Sequence, residues 1–247
     1  MNRHLTMRSG NPALNKNTFS GFSDYSGDYM TIDGTVNKTF ISLFLLFISA
    51  FYSWNVLSGS FIIIGFIGGF IVALITIFKK HLSMYTVPIY AIFEGLALGS
   101  ISQIFEQQYP GIASQAIFLT FGIMGALLFA YKTKIIKPTE NFKLGIFAAT
   151  AGIGVVYLIS FIMGIFGGGL SIMSIENSSM VSIGFSLFVV IIASLNLVLD
   201  FDFIEEASEK KVPKYMEWYA TFGLLVTLIW LYLEILRLLA KLQSRRN

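Results

Sequence analysis

The sequence predicts an all-α membrane protein, a bundle of seven transmembrane helices. Its 247 residues are 55% hydrophobic and 13% charged, whereas an ordinary soluble domain carries roughly 25% charged residues. Seven segments are long and apolar enough to cross a hydrocarbon core about 30 Å thick, which takes roughly 20 helical residues. Basic residues lie in alternate connections between these segments, which is the pattern that distinguishes the two sides of a membrane.

The predicted membrane domain covers residues 38–247 and follows a polar segment of residues 1–37. That segment is rich in Asn, Ser, Gly and Asp and lacks the apolar stretch of a signal peptide. We therefore expect a partly disordered cytoplasmic tail, with the first span targeting the chain to the membrane. The predicted spans are residues 38–57, 61–78, 84–105, 113–131, 144–166, 180–200 or slightly beyond, and 218–239.

Lysine and arginine predict the orientation of these spans. The amino-terminal segment with Lys38, together with the second, fourth and sixth connections, holds 13 of the 17 basic residues, and the other three connections hold none. Because cytoplasmic loops are enriched in Lys and Arg, we expect a multi-pass protein with its amino terminus in the cytoplasm. The carboxyl-terminal stretch KLQSRRN argues mildly against an outside carboxyl terminus.

Several classes of function are disfavoured by what the chain lacks. It has no cysteine and only two histidines, His4 and His81, in different segments, so thiolate and zinc-type sites are not expected. No HExxH, GxGD or serine-histidine context is present, so we expect neither an enzyme nor a cofactor. Glycine pairs inside the spans are expected to let helices approach closely. These pairs are Gly65 and Gly69, Gly95 and Gly99, Gly122 and Gly125, and Gly152 and Gly154.

Two carboxyl groups are predicted to lie deep in the membrane, where a charged side chain costs about 2.5–3.5 kcal/mol. Span three begins near Leu82, which puts Glu94 about 18 Å inside. The stretch FDFIEEASEK favours a helix that continues to about Lys210, which would leave Asp200 ~15 Å from the cytoplasmic end. Asn196 lies one turn deeper on the same face and is the expected hydrogen-bond partner of Asp200. Each acid is either a protonated structural group or a titrating functional one.

The remaining polar residues have simpler interpretations. Glu217 falls in the first turn of span seven, where a carboxylate suits the positive end of the helix dipole, and Glu234 is expected to pair with Arg237 three residues on. The acidic run after Asp200 is expected to form a solvated face, or alternatively a vestibule that attracts cations. This run consists of Asp202, Glu205, Glu206 and Glu209.

Three stretches carry a resemblance to a known family. They are YAIFEGLALGSI in span three, VLDFDFI at the end of span six, and FGLLVTLIWLYLEILRLL in span seven. From residue 38 onward the chain resembles the Bax inhibitor-1 family, specifically its bacterial YccA-like branch. The resemblance implies six helices around a central seventh, a bacterial inner membrane, and in some members a pH-sensitive calcium leak. It also implies the calming of stress or cell-death responses and, for some relatives, regulation of a membrane protease.

The resemblance also suggests a site. Leak-forming members carry one titrating aspartate on span six, matched by Asp200, and one on span seven, where this chain has Thr227. Two close carboxyls in a low dielectric cannot both ionise cheaply, so we hypothesise that Glu94 replaces the missing acid and that Thr227 donates a hydrogen bond. Other relatives also have the glutamate of span three, so the alternative is that Glu94 forms a separate site. Their oxygens suit calcium as the permeant ion. Asp202, Glu217 and Lys79 are the expected residues of the cytoplasmic mouth, where Lys79 or Lys80 would pair with an acid.

These inferences favour a cation leak that responds to pH. The alternative is a regulator of a membrane protease or a stress pathway that acts through protein contacts of its long amino-terminal segment and of its helix surfaces.

Overall fold

The computed structural model describes residues 27–56 and 58–245 and contains seven long helices. Each of them is long and apolar enough to cross a membrane, so the predicted all-helical seven-span architecture is confirmed. The helix with the largest buried share is α7. The helices are α1 (Ile32–Val56), α2 (Ser60–Phe78), α3 (Ser83–Gln108), α4 (Ile112–Lys132), α5 (Glu140–Ile165), α6 (Met180–Glu209) and α7 (Met216–Ser244).

The helices extend beyond the apolar segments that predicted them. Residues 32–37, assigned to the tail, form the first turns of α1. The expected extension of α6 past Asp200 is confirmed, because α6 ends at Glu209. Residues 1–26, which make up most of the predicted tail, and Leu57 lie outside the described residues.

The described chain divides into two compact units. One unit contains residues 27–108 and 202–226, and we call it the α1–α3 unit. The other contains residues 109–201 and 227–245, and we call it the α4–α6 unit.

Inside the α1–α3 unit, α1 and α3 pack closely because both present small residues. Five of the six buried positions of α1 are threonine or serine. A Cβ atom at Gly95 would collide with the Ser49 side chain and the Leu46 carbonyl, and one at Gly99 would collide with the Ala50 carbonyl. Only glycine permits this approach of the two backbones.

Close packing at glycines also joins α2 to α3 in this unit. A Cβ atom at Gly65 would lie 2.7 Å from the Cβ of Ala97, and one at Gly69 would lie 2.6 Å from the Glu94 carboxyl. The predicted packing role of Gly65, Gly69, Gly95 and Gly99 is therefore confirmed. It is wrong for Gly122, Gly125, Gly152 and Gly154, where an added Cβ would meet no atom of the described residues within 4 Å.

The α4–α6 unit is held by a small apolar core. Ile153 of α5 packs with Val189 and Ile192 of α6, and Tyr157 and Trp230 lie against this cluster. Elsewhere α5 exposes large apolar side chains; Phe161 is 68% exposed and Phe166 84%. Such surface on a chain with seven membrane-spanning helices contacts the lipid bilayer.

We expect Gly99→Leu to destabilise the protein by about 1–3 kcal/mol, because the added side chain forces α3 away from the Ala50 carbonyl. Thermal unfolding of the purified protein in detergent measures the effect. Gly122→Leu is the matched control, since an added Cβ at that position meets open space. Equal destabilisation by both substitutions would contradict the packing described for α1 and α3.

Candidate functional site

The four residues of the predicted intramembrane site are all buried. Asp200 is 0% exposed, Asn196 2%, Thr227 3% and Glu94 7%. None of them faces lipid or open solvent, which is the arrangement expected of functional polar groups in a membrane protein. Glu94 belongs to the α1–α3 unit, whereas Asn196, Asp200 and Thr227 belong to the α4–α6 unit. The proposed pairing of Glu94 with Asp200 joins residues of different units and stays a prediction.

Glu94 lies in a niche made by a glycine and a tyrosine. Gly69 of α2 lies directly against the carboxyl group, and the absence of a side chain there leaves the space that the carboxyl fills. Tyr90 lies one turn earlier in α3, and its hydroxyl interacts with the Glu94 carboxyl. The Tyr90 ring packs edge-on against Phe222, with 5.0 Å between the ring centroids. Neighbours on both sides therefore fix the position of this carboxyl.

The structure corrects the expected partner of Asn196. Its side-chain nitrogen donates to Thr150 Oγ1 at 2.9 Å and to the Ile192 carbonyl at 2.8 Å. Both amide hydrogens are thus used, and Oδ1 is buried without a hydrogen-bond partner among the described residues. The expected bond from Asn196 to Asp200 is therefore wrong, because the amide is turned toward α5. Its role is to tie α5 to α6 one turn from Asp200.

Of the three expected mouth residues, Glu217 is the one that is enclosed. Asp202 is half-buried and Lys79 is exposed, whereas Glu217 is 1% exposed. Glu217 occupies the first turn of α7 as predicted, but its carboxylate faces α1. There it accepts hydrogen bonds from the Thr31 backbone N–H and hydroxyl, each at 3.0 Å, and forms an ion pair with Lys38.

The expected ion pair between an acid and Lys79 or Lys80 is not made within the described part of the chain. Lys79 caps the carboxyl end of α2, and its backbone N–H donates to the Ile75 carbonyl. The Lys80 ammonium lies over the ring of Tyr219, 5.6 Å from its centroid. A cation–π contact thus takes the place of the predicted ion pair.

The Glu234–Arg237 pair is confirmed and includes a third residue. Arg237 lies 3.0 Å from Glu234 Oε2, and the Tyr157 hydroxyl donates to Glu234 Oε1 at 2.5 Å. Arg237 also donates to the Tyr157 oxygen at 2.9 Å. Sequence spacing predicts the pair within α7, but it gives no sign of Tyr157, which is 77 residues distant in the chain.

Lys241 is a buried cation. In the sequence it is one of several basic residues in the stretch KLQSRRN, and nothing there marks it as buried. Its side chain is fully buried, and its ammonium donates to the Ile172 carbonyl at 2.7 Å and to Ser186 Oγ at 2.9 Å. A third, longer contact reaches the Ser182 carbonyl at 3.4 Å. The end of α7 is thereby tied to the α5–α6 connection. Since Lys241 is bound inside the protein, its charge is a weak argument about which side the carboxyl terminus occupies.

The fold and these buried groups define a class: multi-pass helical membrane proteins that carry ionisable side chains inside their spans. A family model described as Bax inhibitor 1 like matches residues 11–244. The chain therefore belongs to the Bax inhibitor 1 like family, which confirms the resemblance at the level of the family. The bacterial YccA-like branch stays a prediction. No curated protein and no solved structure matches the chain.

We expect Lys241→Met to loosen the α5–α6 connection, because the Ile172 and Ser182 carbonyls lose their donor at a cost of about 1–3 kcal/mol. Limited proteolysis of the purified protein measures this as faster cleavage within residues 166–179. Lys210→Met is the control, since that lysine is exposed and pairs with Glu206 within one helix. Identical cleavage of both variants would contradict the tethering role of Lys241.

Proposed function

We propose that this chain is a pH-sensitive cation leak, with calcium as a permeant ion, in which protonation of Glu94 and Asp200 controls conduction. The observation that carries the proposal is the complete burial of the Asp200 carboxyl in a membrane-spanning helix. Membership of the Bax inhibitor 1 like family supports it.

The physical basis is the cost of charge in a low dielectric. Ionising an enclosed carboxyl requires that water, a cation or a donor reach it. Its protonation state is therefore coupled to the arrangement of the surrounding helices, and the ionised form offers oxygen ligands that suit hard cations such as calcium. In this proposal a change of pH changes both the packing of the helices and the affinity of the pathway for cations.

Glu94 is proposed as the second acid because Thr227 cannot take that role. A threonine hydroxyl donates and accepts hydrogen bonds but carries no charge at neutral pH. Glu94 shares with Asp200 a position inside a spanning helix and an enclosed carboxyl. Asp202 is the mouth residue that the proposal retains, since it is half-buried and follows Asp200 by two residues in α6.

We expect Glu94→Gln and Asp200→Asn each to flatten the pH dependence of calcium flux. The amides keep the shape of the carboxyls but do not titrate between pH 5 and 8. Purified protein in liposomes loaded with a calcium dye measures the flux, and the double variant tests coupling. If the acids act as a unit, the double variant changes flux no more than the larger single change.

Glu206→Gln is the control for the flux measurement, since it removes an acid from a solvent-accessible ion pair with Lys210. A pH profile that is the same in the wild type, both single variants and the double variant would refute the proposed mechanism.

A second candidate function is regulation of a membrane protease or stress pathway through the amino-terminal segment. One observation favours it. Residues 28–30 are hydrogen-bonded to the α6–α7 connection, so a partner that binds the preceding residues is linked through the chain to that connection. We also propose that this segment faces the cytoplasm of a bacterial cell, because the basic connections lie on its side of the membrane.

We expect deletion of residues 1–26 to abolish capture of a co-expressed membrane protease, if that protease is a partner, while calcium flux persists. Co-purification with the full-length and shortened chains measures capture. The orientation is tested separately with a soluble protease as a reagent. Added outside sealed inside-out vesicles, it should cleave the amino-terminal segment, whereas in right-side-out vesicles the segment should be protected. Equal capture by both chains would refute the regulatory role, and cleavage from the outside would refute the orientation.

A further inference from the structure

The first described residues of the chain are bound to the connection between α6 and α7. The Lys214 N–H donates to the Asp28 carbonyl at 2.9 Å, and the Met30 N–H donates to the Val212 carbonyl at 2.8 Å. Between these bonds Tyr29 and Pro213 form an antiparallel bridge. We call residues 28–31 the amino-terminal strap. Because Met30 is 2% exposed, the strap is packed into the protein.

Glu217 anchors the end of the strap. One carboxylate oxygen accepts the backbone and side-chain bonds of Thr31, and the other pairs with Lys38. Gly34 lies so close that any side chain there would collide with the Glu217 carboxyl. A single acid from α7 therefore holds both the start of α1 and its first lysine.

The contacts of Glu217, which we call the anchor, hold the strap more strongly than the ion pair between Lys214 and Asp28 does. Lys214 and Asp28 also form an ion pair at 3.1 Å, but both side chains are exposed, and exposed pairs contribute little. The hydrogen bond and the charge of Asp28 raise the pKa of Lys214 above its usual range. Lys214 therefore loses its charge only as the pH rises above about 10.5, so this lysine stays charged near neutrality. At Glu217, removing one partner leaves a buried charge, which is costly.

The position of the strap relates it to conduction. Only six residues, 210–215, join α6 to α7, and these helices carry Asp200 and Thr227. A displacement of one helix along the other must therefore strain or rearrange this connection. The strap binds three of those six residues: Val212, Pro213 and Lys214.

We propose that the amino-terminal strap restrains the α6–α7 connection in the low-conductance state, and that Glu217 is the positioning residue that keeps the strap in place. Release of Thr31 and Lys38 from Glu217 frees the connection and raises the leak. The inference rests on the proposed function for its flux readout. The restraint itself can be measured without any flux.

The chain contains no cysteine, so a disulfide across the strap can be introduced without a competing thiol. Tyr29 and Pro213 form a non-hydrogen-bonded antiparallel pair, for which the Cα atoms lie about 4.5 Å apart, within reach of a disulfide. We expect Tyr29→Cys with Pro213→Cys to cross-link on mild oxidation and to lower calcium flux in liposomes. Reduction with dithiothreitol should restore the flux. Unchanged flux after reduction would overturn the restraint.

The anchor is tested with Glu217→Gln in the same double-cysteine chain. Loss of the ion pair should slow cross-linking by about threefold or more and raise the flux of the reduced protein. Thr31→Val removes the hydroxyl that donates to Glu217 and accepts from the Gly34 N–H, but it keeps the backbone bond to Glu217. It should act in the same direction if Glu217→Gln fails to fold. Glu140→Gln is the matched control, because Glu140 is also a first-turn acid of a spanning helix but is exposed. An effect of Glu140→Gln equal to that of Glu217→Gln, or no effect of Glu217→Gln and Thr31→Val, would overturn the anchor.

Hydrogen exchange separates failure of this inference from failure of the proposed function. If the wild type conducts no calcium at any pH, the leak is refuted, and the strap is then judged by amide exchange at residues 210–215. Faster exchange there in Glu217→Gln than in Glu140→Gln supports the restraint. Equal exchange overturns it.

Discussion

The structure depends on one constraint: an ionisable side chain inside a membrane-spanning helix must have its charge or its hydrogen bonds satisfied by protein. Three such groups meet it with several partners each. Glu217 holds Thr31 and Lys38, Glu234 holds Tyr157 and Arg237, and Lys241 has three oxygen acceptors. These groups fasten one element to another, and changing their charge would break contacts on which the fold depends.

Glu94 meets the same constraint in a different way. Its described surroundings are the bare backbone of Gly69 and the hydroxyl of Tyr90, with no cation beside the carboxyl among the described residues. A carboxyl that is enclosed without a bound cation can change its protonation state without breaking an ion pair, provided that water, a cation or a donor reaches it. This contrast with Glu217 and Glu234 is why Glu94 is assigned to the proposed conduction mechanism and the other two are not.

Hydropathy and charge placement were sufficient to predict the helices, because the bilayer fixes both the length and the composition of a span. They were not sufficient to predict which polar residues are enclosed, since that depends on contacts between distant parts of the chain. Tyr157 and the bonds of Lys241 fall in this class, and so does the contact of Glu217 with Thr31. The glycines make the same point: Gly99 and Gly122 look alike in sequence, but only the first faces another helix. Local pattern predicts the element, and tertiary packing decides the role of its small and polar residues.

The continuity of α6 explains how a proton on one residue can affect a connection some distance away. Asp200 lies nine residues before the end of α6 at Glu209, a distance of about 14 Å along the axis. The intervening residues contain neither glycine nor proline, so this part of the helix has none of the common causes of a kink. A shift or rotation of α6 at Asp200 is therefore passed on to the six-residue connection rather than absorbed within the helix. At that connection the strap is hydrogen-bonded to Val212 and Lys214. In the proposed mechanism these bonds oppose the movement, and a stronger Glu217 anchor would require more free energy from protonation.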